Sequence, residues 1–125
     1  MPQILMVDDN KNVRDFWVRH LRRLGYSVAA AANGHEAELA VSARAPDVIV
    51  LDVDMPGNGK AFIDWMLRND QHIPVVLYSA DEQNAVLVGR GAVVSFVPKT
   101  DTPSTLLRKI AEALSGTTNQ AEVSA

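Results

Sequence analysis

Residues 50–57 have the sequence VLDVDMPG, and this stretch decides how the chain folds. It completes an apolar run that begins at Val48 and ends at Leu51, and a carboxylate, Asp52, follows before proline and glycine stop the strand. A short apolar run closed by a turn signal is typical of a buried strand in a parallel sheet. Open α/β sheets place their ligands at the carboxyl ends of such strands, so Asp52 is the first candidate for a functional residue.

The composition is that of one globular domain with a real hydrophobic core. The chain has 125 residues, of which 47% are hydrophobic and 22% charged, and these proportions are ordinary for a soluble domain. Its net charge of -3 argues against a basic surface for nucleic acid, so we expect no direct nucleic-acid partner. Cysteine is absent, which excludes disulfides and thiolate metal sites and fits a reducing compartment.

The sequence shows neither a secretion signal nor a membrane segment. Residues 1–5, MPQIL, lack the basic region and the long apolar run of a signal peptide. No apolar run approaches the roughly 20 residues that are needed to span a bilayer. We therefore expect a cytoplasmic protein without membrane contact.

Five apolar runs alternate with helical patterns along the chain. The predicted strands are residues 4–7, 26–31, 47–52, 73–78 and 93–97. The predicted helices are residues 11–24, 36–44, 61–67, 82–88 and 106–114. This alternation predicts a single-domain α/β fold, doubly wound and flavodoxin-like, with about five helices around a five-stranded parallel sheet of order 2-1-3-4-5. The predicted domain is 1–115, and the polar segment 116–125 is predicted to be a flexible tail.

This strand order brings five polar residues to one edge of the sheet. Asp8 and Asp9 follow the first strand, Asp52 follows the third, and Ser79 and Lys99 follow the fourth and fifth. The first and third strands are neighbours at the point where the strand order reverses, so the three aspartates converge there. Alone, each residue has a plain structural interpretation, such as a helix cap or a solvated lysine. Their joint placement at strand ends favours a site.

Three carboxylates at one edge repel each other and require a compensating charge. Mg²⁺ prefers carboxylate, water and phosphate oxygens, and with Lys99 it would balance the three aspartates. A site of this kind suits phosphoryl transfer, in which positioning and charge stabilisation do most of the catalysis. A carboxylate such as Asp52 can act as the nucleophile and form an aspartyl phosphate.

Together these residues resemble the receiver domain of two-component response regulators, including chemotaxis regulators. The resemblance covers about residues 3 to 115. The matching motifs are Asp8-Asp9, Asp52-x-x-Met55-Pro56-Gly57, Ser79-Ala80, and Phe96 three residues before Lys99.

The resemblance implies that Asp52 accepts a phosphoryl group from a sensor histidine kinase or a histidine phosphotransfer protein. It implies that Asp9 and Asp52 ligate Mg²⁺ directly, that the backbone carbonyl of Asp54 adds a ligand, and that Asp8 acts through water. A receiver of this kind phosphorylates and dephosphorylates itself without turning over an external substrate, so we do not expect an enzyme.

The resemblance also implies a switch. Lys99 would pair with a phosphoryl oxygen, Ser79 would hydrogen-bond another, and Phe96 would turn inward behind the serine. The surface that changes would include the fourth helix, the fifth strand and the fifth helix. A downstream protein target, whose identity the sequence does not give, would bind there, and a homodimer is possible.

The sequence departs from the usual receiver pattern beside the lysine and in the loop after Asp52. The family lysine is commonly followed by proline through a cis bond, whereas Thr100 follows Lys99 here and Pro98 precedes it. A cis bond before a residue other than proline would cost about 2.5–4 kcal/mol, so we expect a trans bond. The Gly57-Asn58-Gly59 loop is about one residue tighter than usual.

A further departure concerns the fourth helix. Asn84, Gly89 and Gly91 are poor residues for a helix interior, which predicts a short or partly irregular helix. This puts conventional dimerisation and output through that face in doubt.

Three other functions compete with a stand-alone, single-domain regulator. The Lys99 to Pro103 run resembles receivers that precede a DNA-binding effector, so the chain could be the receiver half of such a regulator. The Asp52-x-Asp54 pair also mimics the nucleophile and acid of haloacid-dehalogenase-like phosphatases, although it follows the third strand rather than the first. A receiver-like binding module that ignores phosphate is the remaining alternative.

Overall fold

A computed structural model describes residues 1–55 and 59–116 of the chain. Five strands are present: β1 Gln3–Val7, β2 Ser27–Ala31, β3 Val48–Leu51, β4 Val75–Ser79 and β5 Val93–Pro98. Four α-helices and a 3₁₀ helix connect and follow them: α1 Lys11–Arg23, α2 Gly34–Ala43, α3 Gly59–Arg68, the 3₁₀ helix Glu82–Leu87, and α4 Pro103–Leu114. None of these helices has the length and apolar character that crossing a membrane requires.

The five strands form one parallel sheet in the order β2-β1-β3-β4-β5. The last residues of β1 and β3, Val7 and Leu51, are register partners, and Ser79 at the end of β4 pairs with Pro98 at the end of β5. The predicted flavodoxin-like fold and strand order are confirmed. The register places the residues that follow each strand along one edge of the sheet.

Both faces of the sheet are covered, as the continuous apolar strands require. The α1/α4 core contains Ile4, Met6, Trp17, Leu21, Val50, Val76, Leu106 and Ile110. The α2/α3 core contains Leu5, Val7, Ala37, Val41, Leu51, Phe62, Met66, Leu77 and Leu87. Because each strand contributes alternate residues to the two cores, the ends of the central strands are fixed from both sides.

Side-chain caps set where the first two helices begin. The Asn10 side chain accepts hydrogen bonds from the backbone N–H groups of Asn12 and Val13, at 3.0 and 3.1 Å. Asn10 is therefore the N-cap of α1. Asn33 accepts from the Glu36 N–H at 2.8 Å, and the Glu36 carboxylate accepts from the Ala32 N–H at 2.8 Å. These caps satisfy N–H groups that have no partner within the helix.

The fourth helical segment is a six-residue 3₁₀ helix, so the prediction of a short or irregular helix is confirmed. Gly89 and Gly91 follow it with φ of 94° and 58°, a conformation that glycine adopts without steric cost. These two glycines turn the chain back into β5. No peptide bond in the described residues is cis, so the Lys99–Thr100 bond is trans as expected.

A close backbone approach explains one glycine near the site. A Cβ atom on Gly59, the first residue of α3, would lie 2.5 Å from the Cα atom of Val53. The predicted tight loop, Gly57-Asn58-Gly59, lies outside the described residues except for Gly59. The predicted flexible tail likewise lies outside them from residue 117 onward.

Two apolar side chains on the helices are largely exposed. Leu39 on α2 is 58% exposed, and Leu67 on α3 is 50% exposed. On these helices small or neighbouring residues complete the buried face, as Ala37 and Val41 do on α2 and Phe62, Ile63 and Met66 on α3. The buried stripe of each helix is therefore narrower than the set of its apolar residues.

Candidate functional site

Asp52 is the first residue after β3, and it is buried. Only 5% of its surface is exposed, and its backbone N–H donates to the Val7 carbonyl at 3.0 Å, which continues the pairing of β3 with β1. The Asp54 N–H donates to Asp52 Oδ1 at 2.9 Å. One carboxylate oxygen is thus held by the backbone that follows it, and the other faces the residues at the ends of the neighbouring strands.

Lys99, directly after β5, occupies the position opposite Asp52. Its Nζ atom donates to Asp52 Oδ2 at 3.0 Å and forms an ion pair with Asp8 Oδ2 at 2.8 Å. Its backbone N–H donates to the Ser79 carbonyl at 2.9 Å, which joins the ends of β4 and β5. The ammonium also lies 5.7 Å from the centroid of the Tyr78 ring. The lysine therefore reaches the centre of the sheet edge from its outer strand.

The charges at this edge shift two pKa values. Burial raises the pKa of the Asp52 carboxyl above its usual 3.8, against the opposing effects of the Asp54 N–H and Lys99. Burial alone would lower the pKa of the Lys99 ammonium, but hydrogen bonds and charges from Asp8 and Asp52 outweigh it and raise that pKa. The lysine consequently keeps its positive charge at any physiological pH.

Asp8 and Asp9 complete an acidic group with Asp52. Asp8 is fully buried, and its Oδ1 atom accepts from the Asn10 N–H at 2.9 Å. Its other oxygen, Oδ2, lies 2.8 Å from the Lys99 ammonium and forms an ion pair with it. Asp9 is exposed, and ligand oxygens of the three carboxylates lie within 4.8 Å of one another. Three carboxylates offer only oxygen ligands, and their negative charge exceeds that of the one ammonium beside them, so the group fits a hard divalent cation.

Arg14 is a neighbour of this group that the sequence analysis did not identify. Its Nη1 atom donates to the Asp8 backbone carbonyl at 2.7 Å. The available signal was its spacing: Arg14 lies one helical turn after Asn10, on the first turn of α1, which begins beside the acids. The arginine fixes the backbone that presents Asp8 and Asp9.

Ser79, the last residue of β4, is fully buried at the same sheet edge. Its hydroxyl donates to Asp54 Oδ2 and accepts from Asn84 Nδ2 at 3.0 Å and from the Asp81 N–H at 3.1 Å. Asp54 itself is exposed, yet its other oxygen, Oδ1, accepts from Asn84 Nδ2 at 2.9 Å. The hydroxyl and the Asp54 side chain thus form one cluster with the 3₁₀ helix.

Asn84 is the second residue that sequence reasoning missed as part of the site. It is 7% exposed although it belongs to a short helix on the surface. Asparagine is a poor helix former, so its presence at this position predicts an irregular helix rather than a contact.

Phe96, on β5, is partly buried and packs against the α2/α3 core. This position is compatible with the predicted inward turn behind Ser79, which stays a prediction. A solvent-open cavity of about 700 Å³ lies between the 3₁₀ helix and the connection from β3 to α3. Its lining includes Val53, Asp54, Met55, Lys60, Asn84 and Leu87.

Comparison with protein families gives a match over residues 4–111 to the response regulator receiver domain. The chain is 30% identical over 115 residues to the CAI-1 autoinducer sensor kinase/phosphatase CqsS of Vibrio cholerae, covering 87% of this chain and 17% of that protein. It is 29% identical over 110 residues to the DNA-binding response regulator MtrA of Mycolicibacterium smegmatis, covering 86% of this chain and 48% of that protein. The chain thus spans less than half the length of these curated relatives.

Solved structures agree with this match. TrrA from Thermotoga maritima, in complex with Mg(2+)-BeF, aligns with a TM-score of 0.82 at 27% identity, covering 91% of this chain and 100% of TrrA. The Vibrio cholerae chemotaxis protein CheY4 aligns with a TM-score of 0.83 at 27% identity, covering 91% of this chain and 99% of CheY4. With the family match over most of its length, the chain belongs to the receiver domains of two-component response regulators.

Proposed function

We propose that Asp52 is the phosphoacceptor of this receiver and takes its phosphoryl group from a sensor histidine kinase or a histidine phosphotransfer protein. The observation that supports this most directly is the pairing of a buried carboxylate with Lys99 at 3.0 Å, beside Asp8 and Asp9. A structural ion pair would need one acid, whereas this edge gathers three carboxylates, two of which share one ammonium. The excess negative charge suits a site that receives a cation and a phosphoryl group together.

In the proposed reaction a carboxylate oxygen of Asp52 attacks the phosphorus atom of a phosphohistidine. The new O–P bond forms as the N–P bond breaks, the electron pair of that bond returns to the imidazole nitrogen, and that nitrogen takes a proton from water. Lys99 faces the transferred group and stabilises the charge on its oxygens. The chain's own contribution is therefore placement of the nucleophile and of a fixed positive charge.

The residues present fit a bound Mg²⁺. Asp8, Asp9 and Asp52 would hold it, together with the backbone carbonyl of Asp54. When bound, the ion supplies positive charge to the phosphoryl oxygens. With Lys99 its charge balances the three aspartates, so a phosphoryl donor would meet a neutral site. TrrA, which has the same fold, is in complex with Mg(2+)-BeF, and this supports a metal ion at the corresponding site.

The proposed output is a change of surface that a downstream protein recognises. Phosphorylation replaces one carboxylate charge with a group near -2 that has three acceptor oxygens, and Ser79 is the nearby hydroxyl that can respond. We propose a cytoplasmic signalling module that turns over no external substrate. The match to MtrA makes a receiver attached to a DNA-binding effector a specific alternative to a stand-alone regulator.

The experiment is treatment with acetyl phosphate and MgCl₂, followed by intact-mass measurement. Wild type should gain the mass of one phosphoryl group, the gain should require Mg²⁺, and Asp52→Asn should show none. Asp70→Asn is the matched control, because it makes the same chemical change at an exposed residue whose φ of 57° asparagine also tolerates.

Two outcomes would refute the proposal: no adduct on wild type, or an equal adduct on Asp52→Asn. Steady turnover of p-nitrophenyl phosphate would instead support the haloacid-dehalogenase-like alternative.

A further inference from the structure

Asp54, Ser79 and Asn84 form a closed hydrogen-bonded cluster beside Asp52. The Ser79 hydroxyl donates to one Asp54 oxygen, and Asn84 Nδ2 donates to the other at 2.9 Å and to Ser79 Oγ at 3.0 Å. The three residues come from the turn after β3, the end of β4 and the 3₁₀ helix. The cluster therefore links the phosphoacceptor strand to the surface segment that follows β4.

Every hydrogen-bonding group of the serine is already in use. A hydroxyl has one donor hydrogen and two acceptor sites. The hydrogen of Ser79 is directed to Asp54, and the acceptor sites take Asn84 Nδ2 and the Asp81 N–H. A carboxylate only accepts, so Asp54 also fixes which end of the Asn84 amide faces it. Both amide hydrogens of Asn84 are engaged as a result.

This saturation creates a competition for one proton. Ser79 can donate to a phosphoryl oxygen on Asp52 only after it stops donating to Asp54. We propose that Asp54 and Asn84 are positioning residues that hold Ser79 in its resting place and report its release to the 3₁₀ helix. We call this arrangement the Asp54 latch. It rests on the proposed role of Asp52 as phosphoacceptor.

Electrostatics makes the latch sensitive to the state of Asp52. The Asp54 N–H is bonded to Asp52 Oδ1, so the two residues are in direct contact. Added negative charge on Asp52 repels the Asp54 carboxylate, while the same phosphoryl oxygens attract the Ser79 proton. Both effects favour release, and neither requires a change elsewhere in the sheet.

Release of Ser79 alters the 3₁₀ helix through Asn84. The asparagine is 7% exposed, and loss of the serine leaves one of its amide hydrogens without an acceptor in a buried place. The helix has six residues and borders the cavity of about 700 Å³, so it has space on the side that faces Asp54. A short element that only Asn84 and Leu87 anchor with buried side chains is a suitable two-state reporter.

The test is titration with beryllofluoride in the presence of MgCl₂, followed through amide resonances in NMR spectra. Asp54→Ala removes the competing acceptor while keeping its backbone carbonyl, and it should lower the half-saturating concentration about tenfold, the value of one charge-assisted hydrogen bond. Asn84→Ala changes no charge and should lower it about threefold, since a neutral hydrogen bond is weaker.

Asp81→Asn is the matched control. It removes one negative charge from the same rim, and asparagine keeps the cap that Asp81 provides to the Gln83 N–H. Its half-saturating concentration should stay near that of wild type.

Hydrogen exchange provides a second readout that does not depend on affinity. In wild type, beryllofluoride should speed exchange of the amides in residues 82–88. In Asn84→Ala, the protein without ligand should already exchange fast there, and beryllofluoride should add little.

The outcomes separate the latch from the phosphoacceptor. Binding to wild type, with unchanged half-saturation in both Asp54→Ala and Asn84→Ala, would overturn the latch and leave the role of Asp52 standing. Weaker binding by Asp54→Ala would also overturn it, because the side chain would then assist the phosphoryl group. Absence of binding to wild type would overturn both.

Discussion

Two neighbouring regions of this receiver are built in opposite ways. The acid pocket, formed by Asp8, Asp52 and Lys99, lies at the ends of three strands whose register is fixed by the sheet and by the cores on both faces. The 3₁₀ rim, formed by residues 79–91 with Asp54, depends on a six-residue helix and a few side-chain hydrogen bonds. The proposed chemistry would thus take place on the rigid part and the proposed response on the weakly held part.

The two regions also differ in how their polar groups are balanced. In the acid pocket two buried carboxylates, Asp8 and Asp52, share the one ammonium of Lys99, and a third carboxylate, Asp9, lies beside them. In the rim, the hydroxyl of Ser79 and the amide of Asn84 have all their donor hydrogens engaged. A region with excess negative charge can bind a cation. Side chains whose donor hydrogens are all engaged must instead release one partner before they bind another.

The largest expected difference between the regions is in how much stability each loses when a glycine is replaced by alanine. Gly59→Ala places a Cβ atom 2.5 Å from Val53 Cα and should lower the free energy of unfolding by about 3 kcal/mol. Gly89→Ala, in the rim, meets open space and should cost about 1 kcal/mol for its φ of 94°. Urea unfolding followed by circular dichroism measures both. Equal losses of stability would mean that the backbone at Val53, beside the acid pocket, shifts as readily as the backbone of the rim.

Removing the pocket's positive charge is the next largest change. Lys99→Met keeps much of the side-chain volume but leaves the carboxylates of Asp8 and Asp52 facing each other, so stability at neutral pH should fall by about 2 kcal/mol. The loss should shrink in acid, where the carboxyls protonate. Lys109→Met, which removes a lysine from the helix surface, is the control and should change stability by less than about 0.5 kcal/mol.

Neutralising Asp52 should change stability in the opposite direction. Between the usual carboxyl pKa of 3.8 and the raised pKa of folded Asp52, the folded state binds more protons than the unfolded state. Stability therefore falls as pH rises through that window, and the loss is complete above it. Asp52→Asn should raise stability at pH 7 by about 1 kcal/mol.

The gain from Asp52→Asn should disappear as the pH falls toward 3.8, and thermal unfolding across a pH series measures it. A gain of constant size at every pH would show that charge at Asp52 is not its cause.

The smallest effect concerns the outer end of the rim. Arg90 donates to Asp64 Oδ1 from Nη2 at 2.5 Å and from Nε at 3.2 Å, an ion pair that is substantially exposed. Asp64→Asn should therefore cost only about 0.5 kcal/mol. A double-mutant cycle with Arg90→Gln isolates the pair. A coupling as large as the effect of Lys99→Met would contradict the view of the rim as weakly held.

The sequence predicted the pocket better than the rim for a physical reason. Strand ends are visible as apolar runs, and a parallel sheet brings their ends together, so Asp52 and Lys99 were placed without knowledge of any contact. Asn84 lies in a segment for which the sequence predicts only a short or partly irregular helix, and its partners are 30 and 5 residues away. Nothing local specifies those contacts. Arg14 was missed because its partner is a backbone carbonyl, which has no sequence signature.

The two tryptophans of the chain lie on opposite faces of the sheet. Trp17 belongs to the α1/α4 core and meets the Tyr78 ring edge-on at 5.9 Å, and Lys99 Nζ lies 5.7 Å from that same ring. Trp65 packs against the α2/α3 core and stacks on Phe62 at 6.0 Å. The protein therefore contains two tryptophan fluorophores, one in the core on each face of the sheet. In Trp65→Phe, the remaining emission of Trp17 reports changes near Tyr78 and Lys99. In Trp17→Phe, the remaining emission of Trp65 reports changes near α3. Comparing the two variants gives the order in which the two faces of the sheet respond, without any added dye.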